Sequence, residues 1–342
     1  MLYNDLEFFN AVEVHETGDG GLSLHRYPLA VSEKMNSMEF DEQGNPTKEY
    51  IGGREVARET AAVEIRLVTK APKIKVTLKP CRDSETVIAW GEFFQKRVRL
   101  FADQKTVVEI DRPARWDELF KDKDIGRYNP DLLRICLQDR TEFYGIEVEG
   151  EYSAPTKEDG APLTMFAYGT SITHGSGSAF AEMEYIRVCA REIGADVTNK
   201  GVGGSCFCEP EITDFVCSQS FDIGYFEIGT NISTRPEFYM RERLVPFIDK
   251  VCTTFASKPL FFMLPFPAFC DVRGGEEWWP NGKATVAKVI TETVSKYPNA
   301  TLISGDELCD KSWYLLTDVL HPSPIGHIHI GMKLAEIIKS KI

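Results

Sequence analysis

Hydrophobic spacing changes midway along this chain, and no single repeating architecture accommodates both patterns. Between residues 60 and 150 apolar and polar residues alternate: Val63, Ile65 and Leu67 enclose Glu64 and Arg66, then Ile74, Val76 and Leu78 fall between Lys73, Lys75, Thr77 and Lys79. A period of two belongs to strands with one buried face. Thr86–Trp90, Arg97–Phe101, Val107–Ile110, Leu132–Leu137 and Tyr144–Glu149 read as further short strands. So many strands with so few helical stretches predict an antiparallel β-sandwich. The segment Glu151–Pro162 holds two Pro, one Gly and four charges with no apolar period, which places a domain boundary between 1–155 and 156–342.

Beyond it, short apolar runs alternate with amphipathic stretches. Leu163–Tyr168, Asp196–Thr198, Ile223–Ile228, Leu260–Leu264 and Thr301–Ile303 read as strands, and Ala179–Ile193, 237–255, 284–297 and 324–341 as helices. In Ala179–Ile193 the residues Phe180, Met183, Ile186, Ala190 and Ile193 recur every three or four positions, with Gly194 as a stop. In the last helix Ile325, Ile328, Met332 and Ala335 make the apolar stripe, and His329, Lys333 and Glu336 a solvated one. Strand and helix in alternation predict a parallel sheet covered on both faces.

A length of 342 residues suits two domains. With 39 Lys and Arg against 52 Asp and Glu the net charge is -13, so a nucleic acid partner would meet repulsion, and no basic patch offsets it. The longest apolar stretches, such as Leu260–Phe266, are far shorter than the roughly 20 residues of a membrane span. The amino terminus has neither a basic start nor a long apolar run, and the nine cysteines are scattered mostly through apolar segments. A cytoplasmic protein with buried free thiols is expected. Oligomeric state is not legible.

Open parallel sheets bind ligands beyond the carboxyl ends of their strands, so the residues that follow each strand matter most. After the first comes Gly169-Thr170-Ser171-Ile172-Thr173-His174-Gly175, where a serine at a helix start is either a nucleophile or a cap. After the second, Asn199-Lys200-Gly201-Val202-Gly203-Gly204 lets backbone amides approach a ligand, or is a plain turn. After the third, Asn231 can donate to an oxyanion or form a turn. After the fifth, Asp318 precedes His321 by three residues, a spacing that lets the carboxylate hold one imidazole tautomer. Together they supply a nucleophile, a base, an orienting acid and oxyanion donors, the set needed for acyl transfer.

In this order the four blocks resemble the SGNH hydrolases, the GDSL lipase and acylhydrolase family, over roughly residues 160–342. Ser171 matches the nucleophile, Gly204 the block-two glycine, Asn231 the block-three asparagine, and Asp318 with His321 the block-five pair. The resemblance implies a three-layer αβα flavodoxin-like domain and ester hydrolysis by a Ser171-His321-Asp318 triad. The Ser171 and Gly204 amides and the Asn231 side chain would form the oxyanion hole. No metal or organic cofactor is implied. Thr170 and Ile232 stand where typical members have Asp. The Gly-Thr-Ser-Ile-Thr-His-Gly wording, Glu209-Pro210-Glu211 and a strand-rich amino-terminal half are similar to a subgroup that carries a jelly-roll-like β-sandwich before the hydrolase. Acetyl esters of carbohydrates are the substrate class that the subgroup suggests, by analogy.

His174, Trp278 and Trp279 are candidate pocket-lining residues; the tryptophans, beside Glu276 and Glu277, equally suit packing against the sandwich. A hydrolytic zinc centre of Asp318, His321, His327 and His329 would mix loop and helix faces. An acyltransferase with the same serine chemistry and a non-catalytic binding protein are the rival functions.

Overall fold

A computed structural model describes residues 1–118, 126–273, 279 and 281–342. The amino-terminal part is built from two antiparallel sheets. One runs in the order Leu2–Tyr3, Leu6–Phe9, Glu64–Thr69, Leu132–Cys136, Ser84–Trp90 and Phe93–Leu100, with Tyr152–Ser153 also paired to Glu64–Thr69. The other runs Thr106–Asp111, Lys73–Pro80, Thr141–Val148, Leu22–His25 and Glu13–Glu16. Every strand expected between 60 and 150 is present, and Ile65, Leu67, Ile74, Val76, Ile88, Trp90 and Ile135 meet in the core between the sheets. Such alternation normally leaves the second face in water. Here Glu64, Arg66 and Arg134 are buried as well, because that face packs against the carboxyl-terminal part.

The carboxyl-terminal part is a parallel five-stranded sheet in the order Ala195–Gly201, Leu163–Gly169, Ile223–Glu227, Leu260–Met263 and Ala300–Ile303. This is the doubly wound order in which the first strand lies inside the second. Along it Met165 and Ala167 face the helices Tyr185–Glu192 and Pro324–Lys339. Phe166 and Tyr168 face Pro210–Cys217, Glu237–Thr254 and Gly282–Val294. The three layers are therefore αβα.

The edge strand Ala195–Gly201 is sealed by the amino-terminal part. Its carbonyls accept from Arg127 at Ala195, Asn10 and Arg26 at Asn199, Tyr27 at Lys200 and Arg26 at Gly201. An open edge is thus satisfied by side chains rather than by another strand. Buried between the parts, Arg66 pairs with Asp196 through contacts of 2.6 and 3.0 Å, and Arg187 reaches Glu64.

Two expectations fail locally. The helix expected over 179–193 is two pieces, a 3₁₀ turn Ala181–Met183 and the helix Tyr185–Glu192. Between them Glu184 is extended, with ψ of 131°, and its carboxylate turns inward to accept from Asn199 at 3.1 Å. In the last helix Ile325, Ile328 and Met332 are exposed, and the buried stripe is His327, Ile330, Leu334, Ala335 and Ile338. The helix is rotated so that His327 caps buried backbone: its Nε2 donates to the Ser176 carbonyl at 2.9 Å and its Nδ1 accepts from the Tyr185 amide at 3.2 Å.

A hairpin of Ser37–Phe40 and Pro46–Tyr50 leaves the amino-terminal sheets altogether. It packs on the carboxyl-terminal part through Phe40, which meets Phe238 and Tyr239 edge-on.

Candidate active site

Ser171 follows the first strand at the start of a one-turn helix, Ser171–His174. Its Oγ lies 2.7 Å from His321 Nε2, and His321 Nδ1 lies 2.7 Å from Asp318 Oδ2. The other Asp318 oxygen accepts from the Leu320 and His321 amides, each at 3.0 Å. Val319 makes this loop possible at φ of +52°, a conformation a β-branched residue adopts only under constraint. Burial raises the Asp318 carboxyl, but the hydrogen bonds from the His321 ring and from the two amides outweigh it, and the net shift is below the ordinary carboxylate value. An ionised Asp318 fixes the proton on Nδ1 and leaves Nε2 to accept from the serine.

The loop after the edge strand passes directly over Ser171. Gly201 abuts the helix so closely that an added methyl would lie 2.3 Å from the His174 amide nitrogen. Gly204 adopts φ of +67°, the left-handed region open to glycine without strain. Asn231 accepts from the Cys206 amide through Oδ1 at 3.0 Å, which assigns the other side-chain atom as the donating NH₂. Such a group, with the amides of Ser171 and Gly204, is the donor set an oxyanion requires.

Beneath Ser171 lies Glu227, a residue its sequence position does not single out. Its Oε2 accepts from the Thr170 amide at 2.9 Å, the Thr170 hydroxyl at 2.5 Å and the Thr173 hydroxyl at 3.2 Å, while Oε1 accepts from Thr230 at 3.0 Å. Burial raises its pKa, and these donors offset part of the rise. Thr170 in turn caps the helix through the Ile172 amide. At position 170 a hydroxyl therefore bridges a buried acid to the helix start.

His174 lies behind the loop. Its Nδ1 accepts from the Gly203 amide at 3.3 Å, and its Nε2 sits 3.3 Å from Glu59 and 3.5 Å from Arg26, both in the amino-terminal part. Burial, then the charges of Arg26 and Arg82, hold its pKa well below the ordinary value. A neutral ring with one donor and one acceptor suits these partners. His174 also lines a cavity of about 370 Å³ between the two parts, with Glu59, Arg82, Gln138, Ser176, Ser178 and Gly203 among its walls.

Trp278, Glu276 and Glu277 lie outside the described residues. Trp279 packs by the Gly44 turn of the hairpin, where an added methyl would touch its ring at 3.9 Å. The four-residue zinc grouping does not assemble: His327 is buried against Ser176 and Tyr185, and His329 stacks on Tyr314 at 4.1 Å. Among the described residues one acid–thiol cluster, Glu64, Cys136 and Glu182, is close enough to ligate an ion. Arg134 and Arg187 already contact both carboxylates, so the cluster is a buried ion-pair network.

The hairpin also reaches the site. A methyl on Gly204 would lie 3.4 Å from the Tyr50 hydroxyl, and the Tyr50 ring meets Phe207 edge-on at 6.0 Å. Nothing local in the sequence marks Tyr50, since its neighbour is 154 positions away.

The model of the GDSL-like lipase/acylhydrolase family matches residues 164–339. No curated protein sequence matches the chain. Among solved structures it resembles the salicylyl-acyltransferase SsfX3 of a tetracycline biosynthetic pathway, with a TM-score of 0.77 and 16% identity, covering 98% of this chain and 94% of that one. A family two carbohydrate esterase from Clostridium thermocellum, in complex with cellohexaose, gives a TM-score of 0.58 at 12% identity over 89% and 97% of the two chains. The acetyl xylan esterase Est2A from Butyrivibrio proteoclasticus gives 0.53 at 12% over 82% and 90%. At these identities the structures speak for the two-part fold. The family match runs from the first strand of the parallel sheet into the final helix, more than half of the sequence, and the chain belongs to the GDSL-like lipase/acylhydrolase family.

Proposed function

We propose that the protein is a serine-dependent ester hydrolase that removes short acyl groups, acetyl among them, from carbohydrates. The observation that carries this reading is the unbroken relay from Asp318 through His321 to Ser171, with both contacts at 2.7 Å, beside a glycine loop and an asparagine amide. His321 Nε2 removes the Ser171 proton as Oγ attacks the ester carbonyl, and Asp318 stabilises the imidazolium. The Ser171 and Gly204 amides and Asn231 bind the oxyanion, each worth about 3 kcal/mol of barrier. His321 then protonates the departing alcohol, and water activated by the same imidazole releases the acid. The carbohydrate part of the reading is supported by the esterase neighbours.

We further propose residues 156–342 as the catalytic unit and 1–155 as its cover. Ser171→Ala is expected to lower kcat on phenyl acetate by at least about 10³-fold with the fold intact, and a fluorophosphonate is expected to label Ser171 alone. Parent-like turnover by the variant would refute the nucleophile. The likeness to an acyltransferase supports a second reading, in which an acceptor alcohol replaces water. Product analysis with a polyol present separates the two.

A further inference from the structure

Arg235 stands one 3₁₀ turn beyond Asn231, at the end of Ile232–Thr234. Its guanidinium lies 5.0 Å above the Phe207 ring. Nε donates to Ser37 of the hairpin at 3.3 Å, and Nη1 to the Thr234 hydroxyl at 2.6 Å and carbonyl at 3.5 Å. Among the described residues Nη2 makes no hydrogen bond and no carboxylate lies within ion-pair distance of Arg235, the nearest acidic influence being Glu39 of the hairpin at longer range. Arg66, Arg112, Arg127, Arg134 and Arg187 each face an acid, and the fully buried Arg26 spends its donors on the carbonyls of Glu59, Val56 and Gly201. Burial lowers the pKa of Arg235, yet a guanidinium keeps its charge in any protein environment. A partly desolvated cation with no direct counter-ion gains from meeting an anion.

The second free donor in this corner is Tyr50. Its hydroxyl makes no hydrogen bond among the described residues and lies between Gly52 and the Gly204 turn, 3.4 Å from where a methyl on Gly204 would stand. Phe207 joins the two, flanked by the Tyr50 ring on its edge and the Arg235 cation on its face. One unengaged N–H of Arg235 and one unengaged O–H of Tyr50 thus sit beside the oxyanion loop, on a protein whose net charge of -13 would otherwise repel an anion.

We propose that Arg235 and Tyr50 form a recognition corner for a carboxylate on the ester substrate. The proposal rests on the esterase reading above. Arg235 Nη2 and the Tyr50 hydroxyl each donate to the carboxylate, Phe207 forms the floor, and the charge fixes the ester with its carbonyl toward Gly204 and Asn231. The carboxylate belongs either to a dicarboxylic acyl group or to an acidic sugar.

The test measures kcat/KM of the full-length protein on two matched pairs: phenyl acetate with phenyl hydrogen succinate, and a methyl acetyl glucoside with the corresponding acetyl glucuronide. Turnover of phenyl acetate by the parent, lost in Ser171→Ala, tests the esterase reading alone. The parent is expected to prefer the charged member of one pair, and which pair identifies where the carboxylate sits. Arg235→Gln is expected to lower that charged-to-neutral ratio at least about tenfold, chiefly through KM. Arg235→Lys should retain part of it, and Tyr50→Phe should lower it by a smaller factor. The preference of the parent should weaken as salt is raised. Should Arg235→Gln not fold, Tyr50→Phe and the salt dependence of the parent carry the test. A parent that hydrolyses phenyl acetate but favours the neutral member of both pairs would overturn the proposal. So would a charged-to-neutral ratio that Arg235→Gln and Tyr50→Phe leave as it is.

Discussion

At the scale of single residues, Asp318 divides its two oxygens between two tasks: one holds the His321 ring and the other holds the turn that carries it. Asp318→Asn keeps the shape but presents an amide, so the imidazole loses its fixed tautomer. We expect kcat on phenyl acetate to fall by up to about 10⁴-fold at neutral pH with little change in KM; circular dichroism should show the fold unchanged. Three of the candidate site residues were legible because each stands within a few residues of the end of a strand of an α/β sheet, where sequence order and spatial order agree. Ser171, Gly204 and Asn231 share that property, and Asp318 with His321 was legible instead from its three-residue spacing ahead of the final helix. Tyr50, Glu227 and Arg26 do not announce themselves, since what makes each important is a partner brought by tertiary folding.

Among the elements, strand periodicity transferred well and helix periodicity less well. The strands expected between residues 60 and 150 and the five of the parallel sheet lie where alternation or apolar runs put them, whereas those before residue 60 were not expected; a strand that pairs over its whole length must keep one pattern. The 179–193 stretch has helical spacing, yet Glu184 breaks it to serve Asn199, a tertiary demand that no local pattern encodes. The loop 201–204 depends on such demands too. His174 holds the Gly203 amide while Glu59 and Arg26 hold His174. If the 201–204 loop carries the oxyanion donors proposed above, His174→Leu should loosen it and lower kcat on phenyl acetate about tenfold or more, with KM nearly constant. His174→Gln, which can still accept from Gly203, should recover part of the loss; equal losses in both variants would mean that His174 merely fills space.

For the molecule as a whole, buried ionisable groups set how stability varies with pH. Burial lifts the Glu184 and Glu209 carboxyls to about 8, far above the roughly 4.3 of an unfolded glutamate. Each therefore favours the fold fully at low pH and loses that contribution as pH rises toward 8, because the folded state then holds a proton that the unfolded chain has released. Burial lowers His25 and His327 to about 4, so their opposing effect ends near pH 6.5. The thermal midpoint should thus decline between about pH 6.5 and 8, and Glu184→Gln or Glu209→Gln should flatten the decline. Glu64 is a separate case, a carboxylate facing Arg66, Arg134 and Arg187 with each of them buried. Glu64→Gln should cost about 3 to 5 kcal/mol in chemical denaturation, since cations are left without their counter-charge.

That network crosses from one half of the chain to the other, as do the bonds that Arg26, Asn10 and Tyr27 make to the rim of the parallel sheet. Neither half is then a cassette. A recombinant joining the carboxyl-terminal part to a foreign sandwich would inherit Asp196, Arg187 and the bare carbonyls of an edge strand without the groups that answer them. Only a donor matched at those positions would be accepted, and the two halves should change in step as the lineage diverges.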